Sequence, residues 1–142
     1  MVEVTKRFTF AYAHRLHNVN QSDDWNKTVF GKCNNENGHG HNAELEVTVD
    51  GDPNIETGMI INFNELKAIV DAAVIQVFDH KHLDKDLGML YAGRLSTCEN
   101  TIEIIWNILD YEFYQRSSSY KLKRIRLSET ESSWCVRERS AL

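Results

Sequence analysis

The amino-acid sequence predicts an α+β domain of the order β-β-α-α-β-β, with two helices packed on one face of an antiparallel sheet. Two observations come from the apolar pattern. It alternates over two segments near each end of the chain, and it follows helical spacing over two segments between them. A third observation is that the 142 residues contain a single proline and no visible linker or repeat. We therefore expect one domain, 1–142.

The first two predicted strands lie in the N-terminal third of the chain. Residues 2–13 alternate, with Phe8 and Tyr12 on one face and charged or hydroxyl side chains on the other. Residues 40–50 alternate in the same way around Leu45. The polar, turn-rich residues 17–38 between them predict a long loop.

Two helices follow these strands. Asn62 and Glu65 have the spacing of a capping box, and the apolar stripe behind them predicts a helix that ends near Asp79. Ser96 and Glu99 repeat that spacing ahead of a second apolar stripe. We expect the second helix to begin at residue 96 or 97.

The last two predicted strands are short. Residues 120–129 and 133–139 alternate on either side of a tight turn at residues 130–132. A sheet of four strands leaves edges that must be covered or paired. Oligomerisation through the sheet edges is one way to cover them.

The composition narrows the classes of partner. The net charge of −5 disfavours nucleic acid, since phosphate neutralisation needs a basic surface. No apolar run is long enough to span a bilayer, and the N-terminus lacks the apolar core of a signal peptide. The three cysteines are odd in number and irregularly spaced, so no disulfide framework is expected. We expect a reduced, cytoplasmic protein with no nucleic-acid or membrane partner.

Three histidines predict a metal site. His39 and His41 are two residues apart at the start of a strand, so both imidazoles point to the same face. His14 ends the first predicted strand and can supply a third nitrogen. Three protein ligands and an open position are typical of catalytic zinc. Two alternatives remain at this level: Cys33 could close a structural site as a fourth ligand, or the histidine pair could be a surface feature without metal.

A second cluster, FDHKHLDKD, spans residues 78–86 at the end of the first predicted helix. Asp79 and His80 could serve there only as favourable charges at a helix C-terminus. They gain a function if a cysteine needs a base, since a histidine oriented by a carboxylate activates a thiol. His17 and His82 are expected to be solvated, and the two remaining cysteines to be buried and inert.

Five motifs together resemble the 6-pyruvoyl-tetrahydropterin synthase family. In order, they are AHRL, C-x5-H-G-H, FDHKHLD, STCEN and SET, and they fall within residues 8–139. The resemblance implies the tunnelling fold, in which three subunits join their sheets into a barrel and two trimers stack as a homohexamer. It also implies active sites that lie between subunits.

The resemblance further implies a role for each residue that matches a motif. It implies zinc ligands at His14, His39 and His41, a proton-transferring Cys33, a relay of Asp79 and His80 from a neighbouring subunit, a pterin anchor at Glu129, and further pterin contacts at Thr97 and Glu99. The family often has Thr-Thr-Glu where this chain has Thr97-Cys98-Glu99. A side-chain contact at position 98 is therefore not carried over.

The implied reaction is phosphate elimination by a carbon–oxygen lyase of tetrahydrobiopterin biosynthesis. It converts 7,8-dihydroneopterin triphosphate to 6-pyruvoyl-tetrahydropterin without an external reductant, with Zn²⁺ as cofactor and Mg²⁺ as a candidate companion of the triphosphate. The cations that would bind the triphosphate are unassigned, although Arg15, Lys27, Lys32 and Lys81 lie near the motifs.

Two rival functions stay open. One is 6-carboxytetrahydropterin synthase of queuosine biosynthesis, which shares the fold and substrate but resembles C-x3-H-G-H, so the C-x5-H-G-H spacing here favours the pyruvoyl product. The other is a zinc-binding or pterin-binding domain without catalysis.

Overall fold

The computed structural model describes residues 2–116 and 119–141. Within these residues, five strands form one sheet in the order β3-β1-β2-β4-β5. Their bounds are β1 Val2–His14, β2 His39–Gly51, β3 Lys81–His82, β4 Tyr120–Thr130 and β5 Ser133–Glu138. The predicted α+β class and the four predicted strands are confirmed. The two-residue β3, which pairs in parallel with Tyr12 and Ala13 of β1, was not predicted because it is too short to show alternation.

Both predicted helices are present, together with three shorter ones in the part of the chain that the structure describes. The bounds are α1 Asp23–Phe30, α2 (Phe63–Val70, a π-helical stretch Asp71–Ile75 and a last turn Gln76–Phe78), α3 Leu83–Asp86, α4 Gly88–Tyr91 and α5 Cys98–Arg116. A 3₁₀ segment, Gly31–Asn34, follows α1 directly. Among the described residues, no helix is long and apolar enough to cross a bilayer.

One hydrophobic core joins the sheet to the two long helices. The apolar face of the sheet contributes residues such as Phe10, Leu45 and Leu127, and α2 and α5 contribute residues such as Leu66 and Ile105. Full burial of each such side chain contributes roughly 1.5–3 kcal/mol. The opposite face of the sheet is polar, so the helices lie on one side, as the alternation predicted.

The register of β1 and β2 positions the site. The two strands pair antiparallel along their whole length, from Val2 opposite Gly51 to His14 opposite His39. The pairing therefore brings the last residue of β1 to the first residue of β2. Two residues before the end of β1, Tyr12 lies opposite His41.

Helix α1 lies inside the segment that was predicted to be a loop, and that prediction was wrong. The Ser22 hydroxyl caps the helix by accepting a hydrogen bond from the Trp25 amide at 3.1 Å. The fully buried Asn26 accepts from the Asn18 amide at 2.7 Å, and its own amide donates to the Asn18 carbonyl at 2.9 Å. Polar contacts anchor this helix, so an apolar stripe could not have revealed it.

The caps of the long helices differ partly from the predicted boxes. Asn62 caps α2 by accepting from the Asn64 amide at 2.8 Å. In α5 the cap is the Thr97 hydroxyl, which accepts from the Asn100 amide at 3.3 Å. The expected pair of Ser96 and Glu99 does not form, since the Ser96 hydroxyl is buried without a hydrogen-bond partner in the described structure.

Candidate active site

Three histidines converge where β1 ends and β2 begins. The ligand nitrogens of His14, His39 and His41 lie within 4.8 Å of one another, and this group could hold a metal ion. The Nε2 atoms of His14 and His41 are 3.2 Å apart. Two nitrogens bound to tetrahedral zinc at roughly 2.0–2.1 Å would lie roughly 3.4 Å apart, so the spacing is close to what such an ion requires.

The environment of each ring suits a metal ligand. His14 is buried, and its Nδ1 donates to the Ser96 carbonyl at 2.6 Å. Because a carbonyl can only accept, the neutral His14 ring carries its proton on Nδ1 and leaves Nε2 free to coordinate. Burial lowers the pKa of His39, as do the two neighbouring imidazoles, and burial also lowers the pKa of His41. The neutral ring is the form that binds a metal.

His39 has an unsatisfied nitrogen, which is a further indication that the histidine group binds a partner. Its Nδ1 is buried without a hydrogen-bond partner in the described structure. A buried polar atom without a partner is costly, and metal coordination is one way to satisfy it. The donor set of three imidazoles therefore fits a zinc-like ion.

Gly38 directly precedes β2 and determines the backbone path into that strand. Its φ of +78° is a left-handed conformation, and a Cβ there would lie 2.9 Å from the His14 carbonyl and 3.0 Å from His82 Nε2. His82 was expected to be solvated, and that expectation was wrong: its ring is half-buried against this glycine, and Nε2 is buried. The close approach fixes the path of the chain into His39.

A cavity of about 380 Å³ opens beside the histidines. Most of the residues predicted to form the site line this one space. They are His14, Cys33, His39, His41, Thr97, Glu99 and Glu129, joined by Leu16, Cys98, Ser133, Trp134 and Cys135. Residues from β1, β2, α5, β4 and β5 and from the 3₁₀ segment thus meet at one end of the sheet.

Glu129 is oriented by a residue that sequence reasoning missed. The Tyr12 hydroxyl donates to Glu129 Oε1 at 2.8 Å, and burial together with this carboxylate raises the pKa of Tyr12. The two Glu129 oxygens lie 3.7 Å from His14 Nε2 and 3.9 Å from His41 Nε2. The position of Tyr12, two residues before His14 on the same strand face, was the available signal.

Cys33 lies in the 3₁₀ segment that borders the cavity. Its carbonyl accepts from the Leu16 amide at 2.9 Å, and the neighbouring Asn34 side chain donates to the Leu16 carbonyl at 2.8 Å. These two bonds fix the segment against the end of β1. Within the described residues, the group that could hold a metal ion comprises the three histidines and not Cys33, so the closed four-ligand alternative does not match this arrangement.

Asp79 and His80 form a pair at a different place. Asp79 Oδ1 accepts from the Ala11 amide at 2.9 Å, and Oδ2 lies 2.9 Å from His80 Nδ1. The Ala11 bond and the His80 contact lower the pKa of Asp79. The His80 side chain is 83% exposed, and it lines a cavity that Cys33 does not border. Within one chain, the pair is therefore not brought to the thiol.

A basic cavity is lined partly by the 3₁₀ segment. Arg15, Lys27 and Lys32 line it, together with Asp23 and Glu36. The Arg15 Nε donates to the Asn34 carbonyl at 3.0 Å, which orients the guanidinium. Arg15 follows His14 and Lys32 precedes Cys33, so residues that line the two cavities are neighbours in the chain.

The fold and the three-histidine group define an α+β protein with a cavity, at one end of its sheet, whose histidines could hold a metal ion. Comparison with known proteins then identifies the particular family. The family model described as 6-pyruvoyl tetrahydropterin synthase matches residues 3–140. The chain belongs to this family.

Individual relatives agree with that assignment. The chain is 44% identical to a Homo sapiens protein named 6-pyruvoyl tetrahydrobiopterin synthase over 107 residues, which are 75% of this chain and 73% of the relative. It is 42% identical to a Drosophila melanogaster protein of the same name over 84% of this chain and 71% of the relative. A solved structure of Caenorhabditis elegans 6-pyruvoyl tetrahydropterin synthase superposes with a TM-score of 0.82 at 31% identity, covering 98% of this chain and 96% of that one.

Proposed function

We propose that this protein is a zinc-dependent 6-pyruvoyl-tetrahydropterin synthase. It converts 7,8-dihydroneopterin triphosphate to 6-pyruvoyl-tetrahydropterin and eliminates triphosphate. The observation that carries the proposal is that a thiol, three imidazoles and a carboxylate line one cavity in a chain of this family. We also propose a cytoplasmic setting, which its three free cysteines support.

His14, His39 and His41 would hold the zinc. When bound, zinc polarises hydroxyl groups of the substrate side chain and lowers their pKa. The hydrogen bond from His14 Nδ1 to the Ser96 carbonyl orients one ligand, and the strand pairing of β1 with β2 orients the other two. The chain thus supplies a rigid ligand set, because all three rings belong to paired strands.

Cys33 would transfer a proton to and from a carbon atom of the substrate. Its place on a short 3₁₀ segment at the cavity wall lets the thiolate reach a substrate bound beside the histidines. The hydrogen bonds to Leu16 keep the segment in place without making the thiol a metal ligand. The same residue would accept the proton and return it, so no external reductant is consumed.

Glu129 would anchor the pterin ring. A carboxylate can accept two hydrogen bonds from the amino and imino groups of the ring. The Tyr12 hydroxyl occupies only one lone pair of Oε1, so acceptor capacity remains for a ligand. Thr97 and Glu99, at the first turn of α5, line the same cavity and would add further contacts.

Asp79 and His80 would complete the site in an oligomer. The Asp79 carboxylate orients the His80 ring, which is mostly exposed and free to meet another copy of the chain. A homohexamer built as a dimer of trimers would bring this pair to the Cys33 of a neighbour. It would also pair the outer edges of the sheet into a barrel.

The basic cavity would receive the triphosphate. Arg15, Lys27 and Lys32 provide three cations beside the segment that carries Cys33. Asp23 and Glu36 reduce this positive charge, so a magnesium ion could accompany the phosphates.

Product identification tests the proposal. Zinc-loaded protein is incubated with 7,8-dihydroneopterin triphosphate and Mg²⁺ without oxygen, and the products are read by mass. We expect 6-pyruvoyl-tetrahydropterin and triphosphate. A 6-carboxy pterin with acetaldehyde would instead assign 6-carboxytetrahydropterin synthase.

A matched control separates catalysis from zinc binding. Cys33→Ala should abolish turnover while zinc content and folding stay unchanged. Loss of zinc and folding in this variant would favour a structural role for Cys33. Absence of turnover in the unchanged, zinc-loaded protein would contradict the proposal and favour a binding domain.

A further inference from the structure

Two cysteines outside the proposed chemistry lie side by side in the wall of the cavity. Cys98 begins α5 and Cys135 belongs to β5, and both are half-buried against the core. The Cys98 sulfur lies 3.6 Å from the Leu127 carbonyl oxygen, and Leu127 is the cross-strand partner of Cys135. Because cross-strand partners point to the same face of a sheet, the Cys135 side chain points toward α5.

The electrostatics agree with this contact. The Cys135 thiol is the first cause that raises the pKa of Cys98, followed by burial. The two cysteines were expected to be buried and inert. They line the same cavity as the three histidines, which a small solute reaches by the path that the substrate would use.

We propose that Cys98 and Cys135 form a modification site, a dithiol that a peroxide oxidises reversibly to an intrachain disulfide. The Cys135 thiolate attacks one oxygen of hydrogen peroxide, the O–O bond breaks, and the departing hydroxide takes a proton to form water. The Cys98 sulfur then attacks the sulfenic sulfur of Cys135. The S–S bond forms as the S–O bond breaks, and the Cys98 proton leaves with the second water. Two thiols and one peroxide give one disulfide and two waters.

The contact between the two thiols makes the second step intramolecular. Whichever thiol is oxidised first, its partner is adjacent, and exchange of the two roles gives the same disulfide and the same two waters.

The disulfide would join the start of α5 to β5. Thr97 and Glu99 flank Cys98, so the bond would restrain two proposed pterin contacts. This consequence for turnover rests on the proposed function, whereas formation of the bond does not.

Peptide mapping tests the site. Full-length, zinc-loaded protein is treated with graded hydrogen peroxide, free thiols are alkylated, and the remainder is reduced and alkylated with a second reagent. We expect a cross-linked peptide pair that contains Cys98 and Cys135, a mass loss of about 2 Da, and a fall from three free thiols to one. Dithiothreitol should reverse the change, and zinc should stay bound because its ligands are histidines.

Two variants sharpen the result. Cys135→Val should give no cross-link, and Cys33→Ser should retain it. A disulfide that contains Cys33 would overturn the proposal. The proposal would also fail if Cys98 and Cys135 remain alkylatable after Cys33 is oxidised, or if zinc is released in step with the loss of thiols. If Cys33→Ser does not fold, the mapping of the unchanged protein decides alone.

The outcomes distinguish this site from the proposed function. A cross-link in a protein without turnover would reject the synthase and keep the dithiol. Turnover without a cross-link at any peroxide dose would reject the dithiol and keep the synthase.

Discussion

Gly38→Ala tests whether a steric contact behind the three histidines fixes the entrance of β2. A Cβ at Gly38 would lie 2.9 Å from the His14 carbonyl and 3.0 Å from His82 Nε2, both closer than ordinary van der Waals contact. The nearer obstacle is backbone, which cannot rotate away as a side chain can. Either β1 or the turn into His39 must therefore move.

Gly58→Ala is the matched control. Gly58 has a φ of +70°, but its Cβ would meet no atom within 4 Å. Alanine there should cost only its left-handed backbone, about 1–2 kcal/mol. Gly38→Ala carries the same cost together with a steric cost of about 1–3 kcal/mol. For a chain of this length each kcal/mol lowers Tm by about 2–4 °C, so the difference between the variants should be about 2–12 °C.

Two assays check the prediction. Thermal unfolding gives the difference in Tm between the variants. Zinc titration should show affinity at least roughly tenfold lower for Gly38→Ala, because the shift reaches His14 and His39, and unchanged affinity for Gly58→Ala. Equal losses of Tm, or Gly38→Ala with normal zinc affinity, would refute the steric reasoning.

Three further predictions concern single side chains. His41→Ala should lower zinc affinity by at least roughly tenfold in a titration with a competing chelator; unchanged affinity would exclude His41 as a ligand. Tyr12→Phe removes the hydrogen bond to Glu129, and should raise KM about tenfold, equivalent to about 1.5 kcal/mol for a charged hydrogen bond, with zinc content unchanged; an unchanged KM would contradict the orienting role. The Ala11 amide and His80 lower the pKa of Asp79 in the folded state, so its stabilising contribution is full above the unfolded pKa of about 3.9 and is lost as pH falls through the lower folded value. Asp79→Asn should therefore flatten the dependence of Tm on pH below about 4, and an unchanged slope would show that Asp79 adds nothing.

The long elements could be predicted because their signals are local. Alternation in β1, β2, β4 and β5 and the apolar stripes of α2 and α5 follow from the side-chain geometry of strands and helices. Helix α1 was missed because buried Asn26, rather than an apolar stripe, anchors it. The strand β3 was missed because two residues carry no period.

The site was predictable in its chemistry more than in its geometry. The H-x-H spacing placed His39 and His41 on one face, and the structure has them there with His14. The contacts that orient these groups come from distant residues. Tyr12 and Glu129 are 117 positions apart, and His14 and Ser96 are 82 apart.

The sequence by itself determined the fold class and placed His39 and His41 on one face of a strand, since strand periodicity is a property of neighbouring residues. Only the tertiary structure decided that all three cysteines line one cavity, that Gly38 packs against His14 and His82, and that Asp79 and His80 lie apart from Cys33. The physical reason is that these relations depend on strand register and on the packing of α5 against the sheet. Contacts between residues far apart in the chain set both, and no local pattern encodes them.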